Sequence, residues 1–149
     1  MPRKIAFNGV TAVPRITSIH FNYWSSGPFD VREIVAEKVS VYRRGRIEQK
    51  LFDGMSKEPR QTIEYPLDKR EAEAFFTTLE KDIKVHDWDA DYSVFVCDGW
   101  SWKCTIRYSG GTIKTIAGTV SAPPGGKTVA KLVGKLAQFQ YGPLIFGLN

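Results

Sequence analysis

The sequence predicts an α+β fold: a mainly antiparallel sheet, made of two hairpin-linked groups of strands, with two helices packed on one face. Three observations predict it. Short runs alternate between apolar and polar residues, as half-buried strands do. Glycine-containing turns join these runs into hairpins. Two other segments carry apolar residues at helical spacing, and helices that follow groups of hairpins pack on one side of an antiparallel sheet.

The N-terminal half contains three predicted strands and a shorter fourth. One side of the first strand, residues 15–24, holds Thr17, Ile19, Phe21 and Tyr23, and the other side holds Ser18, His20 and Asn22. A second strand is expected over about residues 34–42, and the Arg44-Gly45 turn leads into a third over residues 46–52. Residues 61–65 form the short fourth strand, which the following proline ends.

Asp68 marks the start of the first helix. Its carboxylate is placed to accept from the backbone N–H groups of the first turn, and Glu71 follows three residues later, as in a capping box. Apolar residues then recur at helical spacing and form one stripe toward the sheet: Ala72, Phe75, Phe76, Leu79 and Ile83. The helix is expected to end near Lys84.

Residues 92–120 are predicted to form three consecutive antiparallel strands, joined by turns at Asp98-Gly99 and Gly110-Gly111. Two-residue turns place Ser93 opposite Cys104 and Lys114 opposite Arg107. With period 2, the buried face of the middle strand holds Trp100, Trp102, Cys104, Ile106 and Tyr108, and the wet face holds Ser101, Lys103, Thr105, Arg107 and Ser109.

A second helix is predicted over residues 127–140, after two prolines that end the preceding strand. Its apolar stripe contains Val129, Leu132, Val133, Leu136 and Phe139, and its exposed side carries Lys127, Lys131 and Lys135 four residues apart. Gly142-Pro143 ends the helix. The apolar tail, residues 144–148, is expected to pack across the core; the alternative is that Leu144, Ile145 and Phe146 contact a second chain.

A resemblance covers roughly the C-terminal half. The residues that carry it are Asp87-Trp88, Cys97-Asp98-Gly99, Trp102, Ile106-Arg107-Tyr108, Gly118 and Pro123-Pro124. This pattern resembles small uncharacterised bacterial α+β proteins in which a Trp-containing loop, an Asp-Gly turn, a strand and a Gly…Pro segment precede a final helix. The resemblance implies an architecture and brings no catalytic residue with it.

Length and composition indicate one domain over residues 1–149, with residues 1–14 as an irregular arm. A domain of this size buries roughly 68–70% of its unfolded-chain surface. The sequence has no apolar run near the ~20 residues of a membrane helix and no signal-peptide core at its start, so we expect a cytoplasmic protein that does not enter a membrane. Cys97 and Cys104 are expected to be buried thiols, because two cysteines make no disulfide framework.

Charge is distributed unevenly along the chain. Residues 1–52 and residues 92–149 each carry an excess of five positive charges, and residues 53–91 carry an excess of five negative charges. Such asymmetry bears on partners and solubility. The predicted anion- or partner-binding residues fall into three clusters: Lys103, Arg107 and Lys114 on the sheet, Arg43, Arg44 and Arg46 at a hairpin tip, and Lys127, Lys131 and Lys135 on the second helix.

The catalytic and ligand patterns in the sequence are incomplete. Gly126-Lys127-Thr128 is similar to the end of a phosphate-binding loop, but Ser121 replaces a required glycine and prolines follow it. The alternating aspartates of residues 87–91 begin like a calcium loop, but Tyr92 stands where the sharp turn needs glycine. We therefore expect no cofactor and no metal.

The sequence favours a non-enzymatic binding module, of a bacterial or phage inhibitor or immunity-like kind, that meets a protein partner through the basic sheet face. Like charges that face one another cost stability unless a partner offsets them. The first alternative is sequence-independent binding of nucleic acid through the same cations. The second is an enzyme that uses His86 or His20 with nearby carboxylates, although neither histidine has a recognisable partner spacing. A purely solubilising role for the cations also stays open.

Overall fold

The computed structural model describes residues 6–7, 10–11, 14–25, 36–53, 57–94 and 100–148. These residues form a sheet of seven strands, antiparallel except at one edge, and two α-helices, which confirms the predicted α+β class. Within the expected irregular arm, β1 (Ala6–Phe7) pairs antiparallel with β2 (Val10–Thr11). These four residues are therefore a short ladder and not irregular chain.

The main sheet joins both halves of the chain. Its strands are β3 (Ile16–Ser25), β4 (Ala36–Tyr42), β5 (Arg46–Phe52), β6 (Gln61–Pro66), β7 (Asp91–Tyr92), β8 (Trp100–Tyr108) and β9 (Ile113–Thr119). Their order across the sheet is β6-β5-β4-β3-β8-β9-β7. The central strand β3 pairs antiparallel with β4 on one side and with β8 on the other. The N-terminal and C-terminal halves therefore share one core.

A β-bulge lies at the start of β3. The pairing with β8 shifts between Ile16 and Ser18, so Ile16 is buried and Thr17 is exposed. The prediction that Thr17 shares the inward side with Ile19 is wrong, because the extra residue changes the alternation at that point. From Ser18 onward the predicted alternation holds, with Ile19 and Phe21 in the core.

The first helix is capped as predicted. Asp68 Oδ1 accepts from the backbone N–H of Arg70 at 2.8 Å and from that of Glu71 at 3.4 Å. Helix α1 (Lys69–Thr78) continues into a π-helical turn (Leu79–Ile83), and Lys84 ends it in the left-handed conformation at φ 60°. The predicted end near Lys84 is confirmed.

A buried ion pair connects this helix to the bulged strand. Glu80, in the π-helical turn, accepts from the Ile16 backbone N–H at 2.7 Å and from Arg43 Nη1 at 2.8 Å. Arg43 also donates to the Ile16 carbonyl and, through Nε and Nη2, to Glu73. These bonds, the one to Glu73 first, raise the pKa of Arg43 above its usual value. The Arg43 guanidinium therefore stabilises the contact between the helix and the sheet.

The hairpin between β8 and β9 has a register one residue away from the predicted one. Ile106 pairs with Lys114, and Arg107 pairs with Ile113. The backbone N–H of Tyr108 bonds to the Thr112 carbonyl at 2.9 Å, so the loop is longer than two residues. A slip of one residue moves every side chain of a strand to the other face. The prediction that Lys114 lies opposite Arg107 is therefore wrong.

The described part of the predicted first strand, residues 92–94, does not pair with β8, because β3 occupies that edge. The predicted pairing of Ser93 with Cys104 is wrong: β7 pairs parallel with β9, as Asp91 with Ala117 and Tyr92 with Gly118. The Asp98-Gly99 turn and Cys97 lie outside the described residues. The predicted buried face of β8 is confirmed for Trp102, Cys104, Ile106 and Tyr108, whereas Trp100 is half-buried.

Helix α2 (Gly126–Leu136) is shorter than predicted, because Ala137 already has an extended backbone. Val129 and Val133 are buried against the sheet. Phe139 lies beyond the helix and packs edge-on against Tyr65, with ring centroids 5.3 Å apart. None of the helices in the described parts of the chain is long and apolar enough to cross a membrane.

The C-terminal tail packs across the core. Ile145 and Phe146 are 1% and 2% exposed, and the Phe146 ring meets Trp102 edge-on at 4.8 Å. These two side chains are enclosed within this chain's own core, and the alternative of a contact with a second chain stays a prediction. Leu144 is half-buried, and its backbone N–H donates to the buried carboxylate of Glu37 at 2.7 Å.

Candidate anion-binding face

One face of the sheet packs against the helices and the tail, and the side chains on the opposite face form what we call the outer face. Along β3, β4, β5 and β8 its residues alternate with the core residues. Its central members are Ser18, His20, Asn22, Trp24, Ala36, Lys38, Ser40, Tyr42, Arg46, Glu48, Lys50, Phe52, Ser101, Lys103, Thr105 and Arg107. Because antiparallel register aligns residues across strands, these side chains stand in rows perpendicular to the strands.

Three lysines stand in one of these rows, which we call the lysine row. Lys50 of β5 pairs with Lys38 of β4, Lys38 pairs with Asn22 of β3, and Asn22 pairs with Lys103 of β8. Neighbouring strands lie about 4.8 Å apart, so the row spans roughly 14 Å. Lys50 is 3.5 Å from Glu48, but among the described residues Lys38 and Lys103 have no ion-pair partner.

Two arginines lie on the same face, in a row with Tyr42 and Ser18 that is separated from the lysine row by the row of His20. Arg107 of β8 is exposed and has no ion pair within the described part of the chain. Arg46 of β5 lies over the ring of Tyr42, with its guanidinium carbon 4.3 Å from the ring centroid, and is 3.8 Å from Glu64. Guanidinium stacking on an aromatic ring holds the charge at a fixed place on the face.

His20 lies at the centre of the outer face. Its Nε2 is 2.9 Å from Ser18 Oγ and its Nδ1 is 2.8 Å from Ser40 Oγ. Burial, and then the charges of Lys38 and Arg107, lower its pKa from 6.5 to about 4. The imidazole is therefore neutral near pH 7, with one nitrogen donating to a serine and the other accepting from the second. The lowered pKa also reflects the positive potential of this face.

Aromatic side chains stand beside the lysine row. Trp24 is two residues from Asn22 along β3 and is 41% exposed. It pairs with Ala36, and Ala36 pairs with Phe52, which is half-buried. Sequence reasoning did not single out Trp24, Lys38 or Lys50. The parity of Trp24 with His20 along β3 and the pairing of Lys38 with Lys50 through the Gly45 hairpin are local patterns of the sequence, whereas the alignment of these residues with β8 is not.

The predicted cations do not come together as one site. Lys103 and Arg107 share the outer face as predicted, and Arg46 joins them. Arg44 is exposed at the hairpin tip, 6.0 Å from the Tyr42 ring, and Arg43 is engaged with Glu73 and Glu80 inside the fold. The lysines of α2 are exposed on the helix layer, across the sheet from the outer face: Lys127, Lys131 and Lys135.

Lys114 lies on the core side of β9 and not on the outer face. Its Nζ donates to the backbone carbonyls of His86 at 2.7 Å and Trp88 at 2.5 Å. Burial lowers the pKa of this lysine, while Asp87 and Asp89 oppose that shift. Lys114 therefore anchors the chain around the short helix Val85–Asp87. Its amino group is already hydrogen-bonded within the fold, so Lys114 is not part of the outer face.

The incomplete catalytic and ligand patterns remain separate in the fold. Gly126-Lys127-Thr128 begins α2 after β9, which pairs antiparallel with β8 and parallel only with the two-residue edge strand β7, so it lacks the parallel-sheet strand–loop–helix context of a phosphate-binding loop. His86 Nε2 is 3.7 Å from Asp87 Oδ1, in a different element from His20. Among the described residues, no group of three or more His, Cys, Asp or Glu side chains is placed to hold a metal. Cys104 is buried, which raises the pKa of its thiol.

No protein family, curated protein or solved structure that we compared matches this chain. The resemblance to small bacterial α+β proteins therefore stays a prediction.

Proposed function

We propose that this protein is a non-catalytic binding module whose outer face takes a partner that carries a line of negative charges. The observation that supports it is the lysine row, where Lys38 stands directly opposite Lys50 with Lys103 beyond Asn22. Like charges placed directly opposite one another destabilise a sheet. A bound anionic partner would offset that cost.

The charge pattern defines what the partner must offer. Lys38, Lys103 and Arg107 are without ion pairs among the described residues, and His20 adds no charge near pH 7 because its pKa is about 4. Negative charge on this face lies at β5 and β6: Glu48 stands between Arg46 and Lys50 on β5, 3.5 Å from Lys50, and pairs with Glu64 of β6. Two kinds of partner carry suitable charges: an acidic protein surface, as an inhibitor or immunity-like factor would meet, and a nucleic-acid backbone.

A charge-swap comparison tests the proposal. The outer-face variant carries Lys38→Glu and Lys103→Glu, and the matched control carries Lys131→Glu and Lys135→Glu on α2. Both variants have the same net charge, and all four lysines lie on the surface outside the core. The readout is the salt concentration at which each protein elutes from immobilised heparin, a general polyanion.

We expect the outer-face variant to elute at clearly lower salt than the α2 control, because a localised site depends on where the charge is removed and not on net charge alone. Equal elution of the two variants would show that the outer face is not a binding site for polyanions, and a larger loss in the α2 control would place the site on the helix.

A further inference from the structure

We infer that the negatively charged partner is single-stranded nucleic acid, whose bases stack on Trp24. This inference rests on the proposed function, since it uses the same face. It adds a second contact of different chemistry, because a phosphate backbone is recognised by cations and an unpaired base is recognised by an aromatic ring.

The charges and the rings are arranged in two adjacent rows. Trp24 follows Asn22 by two residues, so the aromatic row lies about 7 Å from the lysine row along the strands. Trp24 and Phe52 are two strands apart, about 10 Å, and only the methyl group of Ala36 stands between them on β4. A nucleic-acid strand that crosses the β-strands at right angles would place phosphates over the lysines and bases over the rings.

Trp24 is the most exposed of the four tryptophans. Trp88 and Trp102 are 3% and 1% exposed, and both donate through Nε1 to backbone carbonyls. Trp24 is 41% exposed and lies outside the core cluster. An exposed indole next to cations is the combination that sequence-independent binding of single strands requires, since every base has a face on which a ring can stack.

The type of cation favours nucleic acid over a protein surface. Three of the five cations that the described residues place on this face are lysines, in one row. Lysine is depleted in protein–protein interfaces, and its ammonium group binds phosphate as a point charge. Stacking also requires bases that are not paired, so a duplex offers only its backbone to this face. A single strand uses both rows.

The test measures binding of an oligothymidylate of about 12 nucleotides, within the length that one small sheet domain covers. Heparin supplies charge without bases, polyglutamate supplies carboxylates, and a duplex of equal length supplies stacked, paired bases. Four proteins are compared: the wild type, Trp24→Ala, Trp24→Phe and Ile113→Ala. Ile113 is the matched control because it is 51% exposed on the same side of the sheet, away from the aromatic row.

The expected result is that Trp24→Ala weakens binding of the single strand by about 5- to 150-fold, the range for loss of one stacked base. Trp24→Phe should keep most of the affinity, and Ile113→Ala should keep all of it. Binding of heparin should be unchanged in Trp24→Ala. The oligonucleotide should quench tryptophan fluorescence in the wild type but much less in Trp24→Phe, which lacks the responding indole.

Salt dependence gives the number of phosphates engaged. Three or four neutralised phosphates predict a slope of log affinity against log salt of roughly −2 to −3, so affinity falls about 20- to 50-fold between about 50 and 200 mM salt. Lys38→Glu should reduce the magnitude of this slope, and Trp24→Ala should leave it unchanged because stacking releases no counterions.

Several outcomes overturn the inference and separate it from the proposed function. If heparin and the single strand bind equally and Trp24→Ala changes neither, the polyanion site stands and stacking is wrong. If polyglutamate binds while the oligonucleotide does not, the partner is an acidic protein surface. If none of the four ligands binds the wild type, the inference and the proposed function both fail. Urea unfolding of each variant confirms that the compared proteins are folded.

Discussion

Replacing Lys38 with glutamate should stabilise the free protein while it weakens binding. In the native sheet Lys38 stands opposite Lys50, and Lys103 lies beyond Asn22 in the same row. A glutamate at position 38 turns one repulsive cross-strand pair into an attractive one. Cross-strand charge pairs change stability by about 0.2–1 kcal/mol each, and the half-exposed position screens this interaction.

The expected gain in the free energy of unfolding is therefore about 0.5–1 kcal/mol at low salt, or a rise in Tm of about 1–4 °C for a chain of this length. Lys38→Gln, which removes the repulsion without adding an attraction, should give about half that gain. Both gains should shrink as salt increases, because screening weakens surface electrostatics.

Urea unfolding, followed by far-UV circular dichroism at low and high salt, measures these differences. The same two variants are then tested for retention on heparin, where both should elute earlier than the wild type. The reasoning would be refuted if Lys38→Glu destabilised the protein by more than about 0.5 kcal/mol, or if its gain were independent of salt. Either result would mean that the charge of Lys38 is already compensated in the free protein.

Three further predictions concern residues outside the lysine row. Gly118→Ala should cost about 1–3 kcal/mol, because a Cβ there would lie 2.6 Å from Cε2 of Trp102; an unchanged urea midpoint would contradict this packing. Glu80→Gln should cost about 2–3 kcal/mol because it leaves Arg43 with one carboxylate fewer in a buried site, and stability equal to wild type in the same assay would show that the pair is dispensable. The pKa of His20 is about 4 in the folded protein, against 6.5 ordinarily. Between these two pH values the unfolded chain binds a proton at His20 that the folded protein does not bind. The contribution of neutral His20 to the free energy of unfolding is therefore fully present above about pH 6.5 and is lost as the pH falls toward 4. Urea unfolding near pH 7 and near pH 4.5 should show a smaller fall in His20→Gln than in the wild type, and identical falls would exclude His20 as the cause.

Local features of the fold were predictable because their causes are local. The carboxylate of Asp68 and its distance from Glu71 are sufficient to predict the start of α1, and the cap is observed. The alternation in β8 predicted its buried side, which holds Trp102 and Ile106. The Arg44-Gly45 turn returned the chain as expected, since Gly45 has φ 114°, a value that glycine accepts without strain.

Features that depend on loop length or on distant pairing were not predictable in the same way. Gly110 and Gly111 both have positive φ, at 89° and 93°, and this is compatible with a two-residue turn or a longer one. The longer loop shifts β9 by one residue and takes Lys114 to the core side. The pairing of β3 with β8 joins residues 75 to 92 positions apart in the chain, and local patterns contain no information about it.

The candidate site was predicted only in part for the same reason. Lys103 and Arg107 lie on one strand, so their shared face follows from period 2. The lysine row depends on the registers of three strand pairs, and the position of Trp24 beside it depends on the same pairings. The contribution of Arg43 to the interior depends on a helix that is far from it in sequence.

A chemical-shift titration of the isotope-labelled protein with the same oligothymidylate tests the central claim most directly. The account predicts that the largest backbone amide changes occur in β3, β4, β5 and β8, and that the indole N–H of Trp24 moves more than that of Trp88. Changes concentrated at Lys127, Lys131 and Lys135 of α2, or the absence of any change at low salt, would contradict it.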